Sequence, residues 1–409
     1  MMAGMPGTER FSALSHKDFR LFLIGQTISL SGTWMQSVAQ GWLVYSLTRS
    51  PLYLGIVAAA SALPIMLFTL IGGMVADRVP KRTLLLITQA MSILPAMALG
   101  LLTSMGTVTV WQIALFAFVL GAINAIDIPA RQSFLIEMVG KGDVVNAIAL
   151  NSAVFNGSRI IGPVIAGLSI THLGISACFF INAFSFLAVI AALAMMKTTG
   201  KREVKSEGII RDFMKGIHFL KDRKEMMHII GLIAVFSLVG IPYINLIPVF
   251  AAEIFHAGPG GFGILVGASG IGALTAALGL AAGGNIRNKP RFMSAAALCF
   301  SLSLITFALS KVFLLSLCLI AAGGWGMVSY LATANSYIQI SVPDELRGRV
   351  MSVYAFMFLG LVPLGNTLMG ISADLIGTTN AVLSGGMLCL ASSILFSLKY
   401  RRHQQLQNE

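Results

Sequence analysis

The sequence predicts an all-α membrane protein: twelve transmembrane helices in two pseudo-symmetric six-helix bundles. Three observations predict it. Hydrophobic residues make up 56% of the chain and charged residues only 11%, with a mean hydropathy of +0.84, whereas soluble domains carry about 25% charged residues. A soluble core of this length cannot use so much apolar surface, so lipid must be the solvent for much of it. The apolar residues fall in runs long enough to cross a bilayer as helices, about 20 residues being needed. Finally, the second half of the chain repeats the pattern of the first.

In order, the runs cover 20–47, 52–76, 83–105, 109–130, 146–171, 174–197, 226–254, 262–284, 292–310, 312–340, 350–373 and 379–398. Breaks such as Arg49-Ser50-Pro51 and Met105-Gly106-Thr107 separate runs that are otherwise nearly continuous. The repeat is seen when the halves are laid over each other. Gly55-Ile56 meets Gly263-Ile264, Asp77 meets Asn285 and Lys81 meets Lys289; Gly162, Gly167 and Ser169 meet Gly365, Gly370 and Ser372. The matches recur in order at a nearly constant offset, which predicts two halves related by an axis along the membrane normal.

A net charge of +12 is compatible with nucleic-acid binding, but its placement argues for a bilayer as partner and no nucleic acid. Of 28 lysines and arginines, 25 fall in the short segments on the side shared by both termini. Arg49 and Lys311 lie on the other side and Arg159 lies inside a span. The positive-inside rule then puts both termini in the cytoplasm. The expected organisation is a cytoplasmic N-terminus over 1–19, a bundle over 20–197, a linker over 198–225, a second bundle over 226–398 and a cytoplasmic tail over 399–409. The expected setting is the cytoplasmic (inner) membrane, of a prokaryote by the resemblance given below, and the chain is expected to act as a monomer.

No cleavable signal peptide is expected, because the first apolar stretch is too long and lacks a convincing cleavage site. Cys178, Cys299, Cys318 and Cys389 all lie in predicted spans without CxxC or Cys/His spacing, so they read as small buried residues rather than disulfides or a zinc site. The six histidines, at 16, 172, 218, 228, 256 and 403, are scattered, and no metal is expected. With no Walker loop and no GxSxG, enzyme readings lose their support.

Two polar segments stand out. Between the second and third runs lies Gly-Gly-Met-Val-Ala-Asp-Arg-Val-Pro-Lys-Arg-Thr, residues 72–83. Asp77, Arg78, Lys81 and Arg82 are pinned there at one membrane surface, and Gly73, four residues before Asp77, is expected to let another helix approach closely. The second segment is the linker. Its Ile210, Phe213, Ile217 and Leu220 make one apolar stripe at helical spacing between Arg211, Asp212, Lys215, Lys221 and Asp222, which predicts a surface helix that couples or tethers the halves.

These motifs resemble known ones. Gly73-x-x-x-Asp77-Arg78-x-Pro80-Lys81-Arg82 is similar to the loop signature between helices 2 and 3 of the major facilitator superfamily, with proline in place of the second glycine. Ser158-x-x-x-Gly162-Pro163-x-x-Ala166-Gly167 resembles the Gly-Pro signature of its exporters, with two glycines replaced by small residues. The Arg131-Gln132 to Asn146 loop, the Ser158–Pro163 run and Leu346-Arg347-Gly348-Arg349-Val350 resemble the enterobactin-exporter-like, or transmembrane secretion effector, branch. The likeness covers roughly 15–400. It implies a secondary active exporter of a small amphipathic molecule (drug, siderophore or other metabolite) working by alternating access. A proton gradient would be its energy source, by antiport, with no cofactor. It also implies a charge cluster of Asp77, Lys81 and Asp127 that latches the outward-open state; the alternative is a solvated loop obeying the positive-inside rule. An importer of a nutrient, a lysolipid transporter, or a transport-inactive sensor or assembly partner are the other readings.

A substrate pathway can be sought among buried polar groups. Gln26, Ser29, Thr33, Gln36 and Gln40 share one helical face, and lipid would leave their hydrogen bonds unmade. That face is expected to turn to water or substrate, or to bond between helices. Ser152, Asn156, Arg159 and Pro163 form a similar stripe. Arg159 lies near mid-depth, where a charge costs a few kcal/mol or more unless paired or hydrated. It reads either as an anchor for an anionic or strongly polar substrate or as a clamp onto groups such as Asn124. In the second half Asn245, between Pro242 and Pro248, marks a broken or bent helix, and Tyr243, Tyr330, Asn335, Tyr354 and Asn366 are further candidates. Gly263-x-x-x-Gly267 and Gly279-x-x-x-Gly283 suit tight packing in the eighth span.

Overall fold

The computed structural model describes residues 9–198, 209–221, 223–283, 286 and 288–408. All regular structure among them is helical. After a short turn of helix at Glu9–Ser15 come α1 Lys17–Thr48, α2 Pro51–Arg78 and α3 Lys81–Ser104. Next are α4 Val110–Gly140, α5 Gly142–Leu173, α6 Ile175–Met195 and the linker helix α7 Ile209–Lys221. The second half holds α8 Glu225–Ile254, α9 Gly258–Ala282, α10 Lys289–Leu309, α11 Phe313–Ser341, α12 Leu346–Ile376 and α13 Thr378–Asn408.

Local chemistry sets the ends. Pro51 opens α2, a position where its missing N–H costs nothing. Thr109 and Gln112 form a capping box at the start of α4. Gly140, at φ 73°, breaks α4 from α5, a backbone conformation that a residue with a Cβ rarely adopts.

Eleven helices among the described residues are long and apolar enough to cross a membrane. The 32-residue α1 is not in that set, because its polar stripe dilutes its apolar character. Leu94, Leu314 and Leu375 are each 70% exposed or more. An apolar surface of this kind on many helices needs lipid to cover it.

The boundaries differ from expectation where polar residues sit on helices that outrun the bilayer. Asp77 and Arg78 belong to the last turn of α2, and Lys81 and Arg82 to the first turn of α3, so the charged loop is only Val79-Pro80. The span expected to end at 130 continues as helix to Gly140, so the expected loop from Arg131 to Asn146 is mostly helix. The physical reason is a second apolar face. Phe134, Leu135 and Met138 are buried in a cluster with Phe19, Phe22, Leu85 and Leu193. The segment expected as a tail over 399–409 continues α13 to Asn408.

The chain divides into two compact units, residues 1–40 with 64–206, and residues 41–63 with 207–409. The breaks fall inside α1, at Gln40/Gly41, and inside α2, at Leu63/Pro64. In the first unit α6 packs on α3 and α4 on α3. In the second α11 packs on α9 and α10, α13 packs on α10, and α7 lies against the start of α12. Leu220 of α7 is 1% exposed; the side chains of Ile210 and Phe213 lie outside the described residues.

The repeat is visible in the packing of each unit. A Cβ at Gly162 of α5 would lie 2.6 Å from the Ser31 carbonyl oxygen of α1, and a Cβ at Gly365 of α12 would collide with the Ser237 carbonyl of α8. Gly174 and Gly377 make the matching turns after these helices, at φ 87° and 86°.

Candidate functional site

Around the α2–α3 turn the expected latch residues are all present, but their partners divide differently. Lys81 is 3% exposed and pairs with Glu137 of α4 at 3.3 Å. Asp127, also 3% exposed, accepts hydrogen bonds from Thr88 Oγ1 at 2.7 Å, Gln89 Nε2 at 2.9 Å and Arg131 Nε at 2.9 Å. Arg131 also donates to Gln26 Oε1 on α1. Arg82 donates to the Ala194 carbonyl at 2.9 Å, Asp77 is half-buried, and Arg78 is exposed. Glu137 is the acid that sequence reasoning missed. The spacing of Arg131, Phe134, Leu135 and Met138 was the available signal, since it continues an amphipathic helix past the apolar run.

The close approach lies one residue from where it was expected. A Cβ at Gly72 would collide with the Ala125 carbonyl of α4, whereas nothing lies within 4 Å of one at Gly73. The eighth-span expectation needs a similar correction at Gly279, where the space is also open. The tight crossing of α9 with α11 runs instead through Gly272 against Ala321 and Gly324 against Ser269.

The α1 stripe is bound to neighbouring helices at two of its five positions. Gln26 and Gln36 are buried. Gln26 meets Arg131, and Gln36 accepts from Asn182 Nδ2 of α6 at 2.7 Å. Ser29 is buried, Thr33 donates to the Ser29 carbonyl at 2.9 Å, and Gln40 is half-buried. Buried amides satisfied in this way fix helix against helix.

Three successive contacts hold α5 on α1. Ser31 Oγ donates to Ser158 Oγ at 3.2 Å, Ser158 Oγ donates to the Thr27 carbonyl at 3.4 Å, and Gly162 admits the backbone of Ser31 and Met35. Pro163 and Gly167 are buried one turn on. Between these contacts the Arg159 guanidinium lies over the Trp34 ring, 5.6 Å from its centroid. Asn156 donates to the Ser152 carbonyl of its own helix, and Asn124 is half-buried on α4. Trp34 was missed because a tryptophan in an apolar run reads as core or lipid contact.

In the second unit α8 is irregular where its prolines predict. Wide turns at Phe236–Gly240 and Phe250–Ile254 flank a tightened stretch at Ile241–Leu246. Asn245 donates to Asn366 Oδ1 at 2.9 Å. The tyrosines are engaged in packing. Tyr243 lies among Phe300 and Phe307, Tyr330 donates to the Ile229 carbonyl at 2.9 Å, and Tyr354 donates to the Leu331 carbonyl at 3.2 Å. Asn335 accepts from Gln339 on its own helix.

The tip of the α1–α2 hairpin belongs to this unit. Tyr45 Oη donates to Glu253 Oε1 at 2.6 Å and Ser50 Oγ to Asp374 Oδ1 at 2.9 Å. Trp42 stacks on Phe262, and Gly55 backs onto Gly370 and the Asn366 carbonyl.

A family profile described as transmembrane secretion effector matches residues 8–408. The chain belongs to this family, a branch of the major facilitator superfamily. Relatives of this secretion-effector chain span nearly its whole length. The staphyloferrin A transporter of Staphylococcus aureus is 26% identical, over 92% of this chain and 95% of its own. The multidrug efflux pump Tap of Mycolicibacterium fortuitum is 28% identical, over 93% and 96%. Macrolide efflux protein A of Streptococcus pyogenes is 22% identical, over 91% and 93%. The nucleoside transporter NupG has a similar fold, with a TM-score of 0.77 over 94% of this chain and 99% of its own, at 11% identity.

For a transmembrane secretion effector the geometry offers binding and motion rather than bond-making. Among the described residues, no group of three or more His, Cys, Asp or Glu could hold a metal ion. What the site does contain is a buried carboxylate with its arginine, an arginine on a tryptophan, and helix junctions closed by glycine.

Proposed function

We propose that this membrane transporter is a proton-coupled exporter. It moves a small amphipathic molecule, such as a drug, siderophore or other metabolite, out of a prokaryotic cell across the cytoplasmic membrane by alternating access. Both termini then face the cytoplasm, a reading that the placement of lysine and arginine supports. The observation that carries the reading is the nature of the full-length relatives, a multidrug efflux pump, a macrolide efflux protein and a staphyloferrin A transporter. The α5–α1 junction at Gly162, where the exporter-like Gly-Pro motif closes onto backbone, supports it.

Protons are the counter-ion, and Asp127 is the carboxylate to examine first, because it is the buried acid among the described residues. Its oxygens accept hydrogen bonds from Thr88, Gln89 and Arg131, and a proton delivered there would compete with Arg131 for the oxygen it holds. The test of export is the accumulation of a chemically diverse compound panel in cells with and without the protein. Export predicts lower accumulation of some compounds when the protein is present. Higher accumulation would establish import, and no effect on any compound despite normal membrane insertion would favour a sensor.

A further inference from the structure

We infer that the face of the linker helix α7 turned away from α12 is a binding platform for anionic phospholipid headgroups of the cytoplasmic leaflet. The inference rests on the orientation given above and goes beyond transport, since its ligand is membrane lipid and not the transported molecule.

The platform follows from how α7 packs. Ile217 and Leu220 belong to its apolar stripe, and the helix lies against the start of α12. Leu220 is 1% exposed, so the stripe is spent on protein. The other side carries Lys215, His218 and Lys221, spaced along one ridge and all exposed, with Met214 beside them at 57% exposure. Just past the helix the exposed Arg223 lays its guanidinium over the Phe219 ring, 4.7 Å from the centroid, which keeps that charge on α7. Over residues 209–224 the sequence holds five lysines and arginines against two aspartates, so the excess is positive. The start of α8 adds to it. Lys399 of α13, also exposed, donates to His228 Nε2 at 3.2 Å, while the carboxylate of Glu225 accepts from Tyr337 Oη at 2.9 Å.

Position then names the partner. Lys221 stands four residues before Glu225, where the membrane-spanning α8 begins. Chain geometry keeps it within about 14 Å of that point. The 30 residues of α8 are about 45 Å long against a hydrocarbon core of about 30 Å, so the start of α8 stands in the headgroup layer. Charges on α7 thus lie close to the surface, where the Debye length is about 8 Å at physiological ionic strength. Each lysine or arginine so placed raises affinity for an anionic membrane on the order of fivefold. An exposed methionine among the cations suits the apolar edge of a headgroup layer better than open water.

The test places a fluorophore on the platform of the full-length protein. Cys178, Cys299, Cys318 and Cys389 are replaced by Ala, Met214→Cys carries a bimane, and the protein is reconstituted in phosphatidylcholine nanodiscs. Spin-labelled phosphatidylglycerol or spin-labelled phosphatidylcholine is included at equal mole fraction, with the nitroxide at the same position near the headgroup. The inference predicts stronger quenching by the anionic lipid, equivalent to a local enrichment of at least about fivefold. High salt should erase that preference. The combined Lys215→Gln, Lys221→Gln, Arg223→Gln variant should erase it too, and the salt arm decides the matter if that variant does not fold. The same label at Leu375→Cys, a site 78% exposed at the far end of α12, should show no preference. Equal quenching by both lipids at position 214, no quenching by either, a preference that survives high salt, or the same preference at position 375 would overturn the inference. Lipid contact is read without transport, so a failed export reading leaves this result legible, and a failed platform leaves export standing.

Discussion

Lys81 and Glu137 form an ion pair that is buried on the lysine side, at 3% against 22% exposure, and its physics makes a sharp prediction. Removing one partner strands a charge in a poorly hydrated place, while removing both leaves an apolar contact. Glu137→Leu alone, which strands the 3% exposed lysine, should therefore destabilise the protein by about 3 kcal/mol, and Lys81→Met with Glu137→Leu should recover most of that loss. Thermal unfolding of the detergent-solubilised variants measures it. Losses that simply add would mean the pair is solvated and the geometry wrong. Gly72 and Gly73 offer a second contrast at this scale. Gly72→Leu should prevent a monodisperse folded protein, because its side chain would enter the Ala125 backbone. Gly73→Ala should fold with stability within about 1 kcal/mol of the parent. Sequence alone pointed to Gly73, since the motif names it; only the rotation of α2 against α4 decides which of two adjacent glycines takes the contact.

At the scale of elements, the α1–α2 hairpin tip is the clearest case of structure adding to sequence. The apolar runs made α1 and α2 legible as helices, and the charge around Arg49 and Pro51 made their turn legible. Nothing in the runs said that residues 41–63 would group with 207–409, because that depends on pairings far apart in the chain. Tyr45 with Glu253 and Ser50 with Asp374 are such pairings. A Ser50→Cys, Asp374→Cys double variant should form a disulfide under mild oxidation and should lose transport until it is reduced. Retained transport with the disulfide formed would show that this seat need not open. The extension of α4 to Gly140 was hidden for another reason. Pro129 and Arg131 look like the end of a span, and the face carrying Phe134 and Met138 buries itself against protein beyond the run. In α8 the two prolines were enough to predict the irregular segment, because a proline inside a helix removes a helical hydrogen bond.

For the whole molecule, the repeat was the most legible property. It appears in sequence as Gly162 with Gly365, and in structure as the same glycine-to-carbonyl closure in each half and the same left-handed turns at Gly174 and Gly377. The halves have diverged in polarity. Asp127 and Arg159 both belong to the first, and the second answers with tyrosines spent on packing and backbone. The exporter reading thus assigns proton and substrate chemistry to the first half, and that assignment is open to direct measurement. The assay is uptake into everted membrane vesicles of a compound whose accumulation in cells the protein lowers, with an imposed pH gradient, acid inside. The account predicts uptake that collapses when an uncoupler dissipates the gradient, and uptake in Asp127→Asn that no longer responds to the gradient. Uptake equally strong with and without the gradient, or net movement out of the everted vesicles, would contradict it.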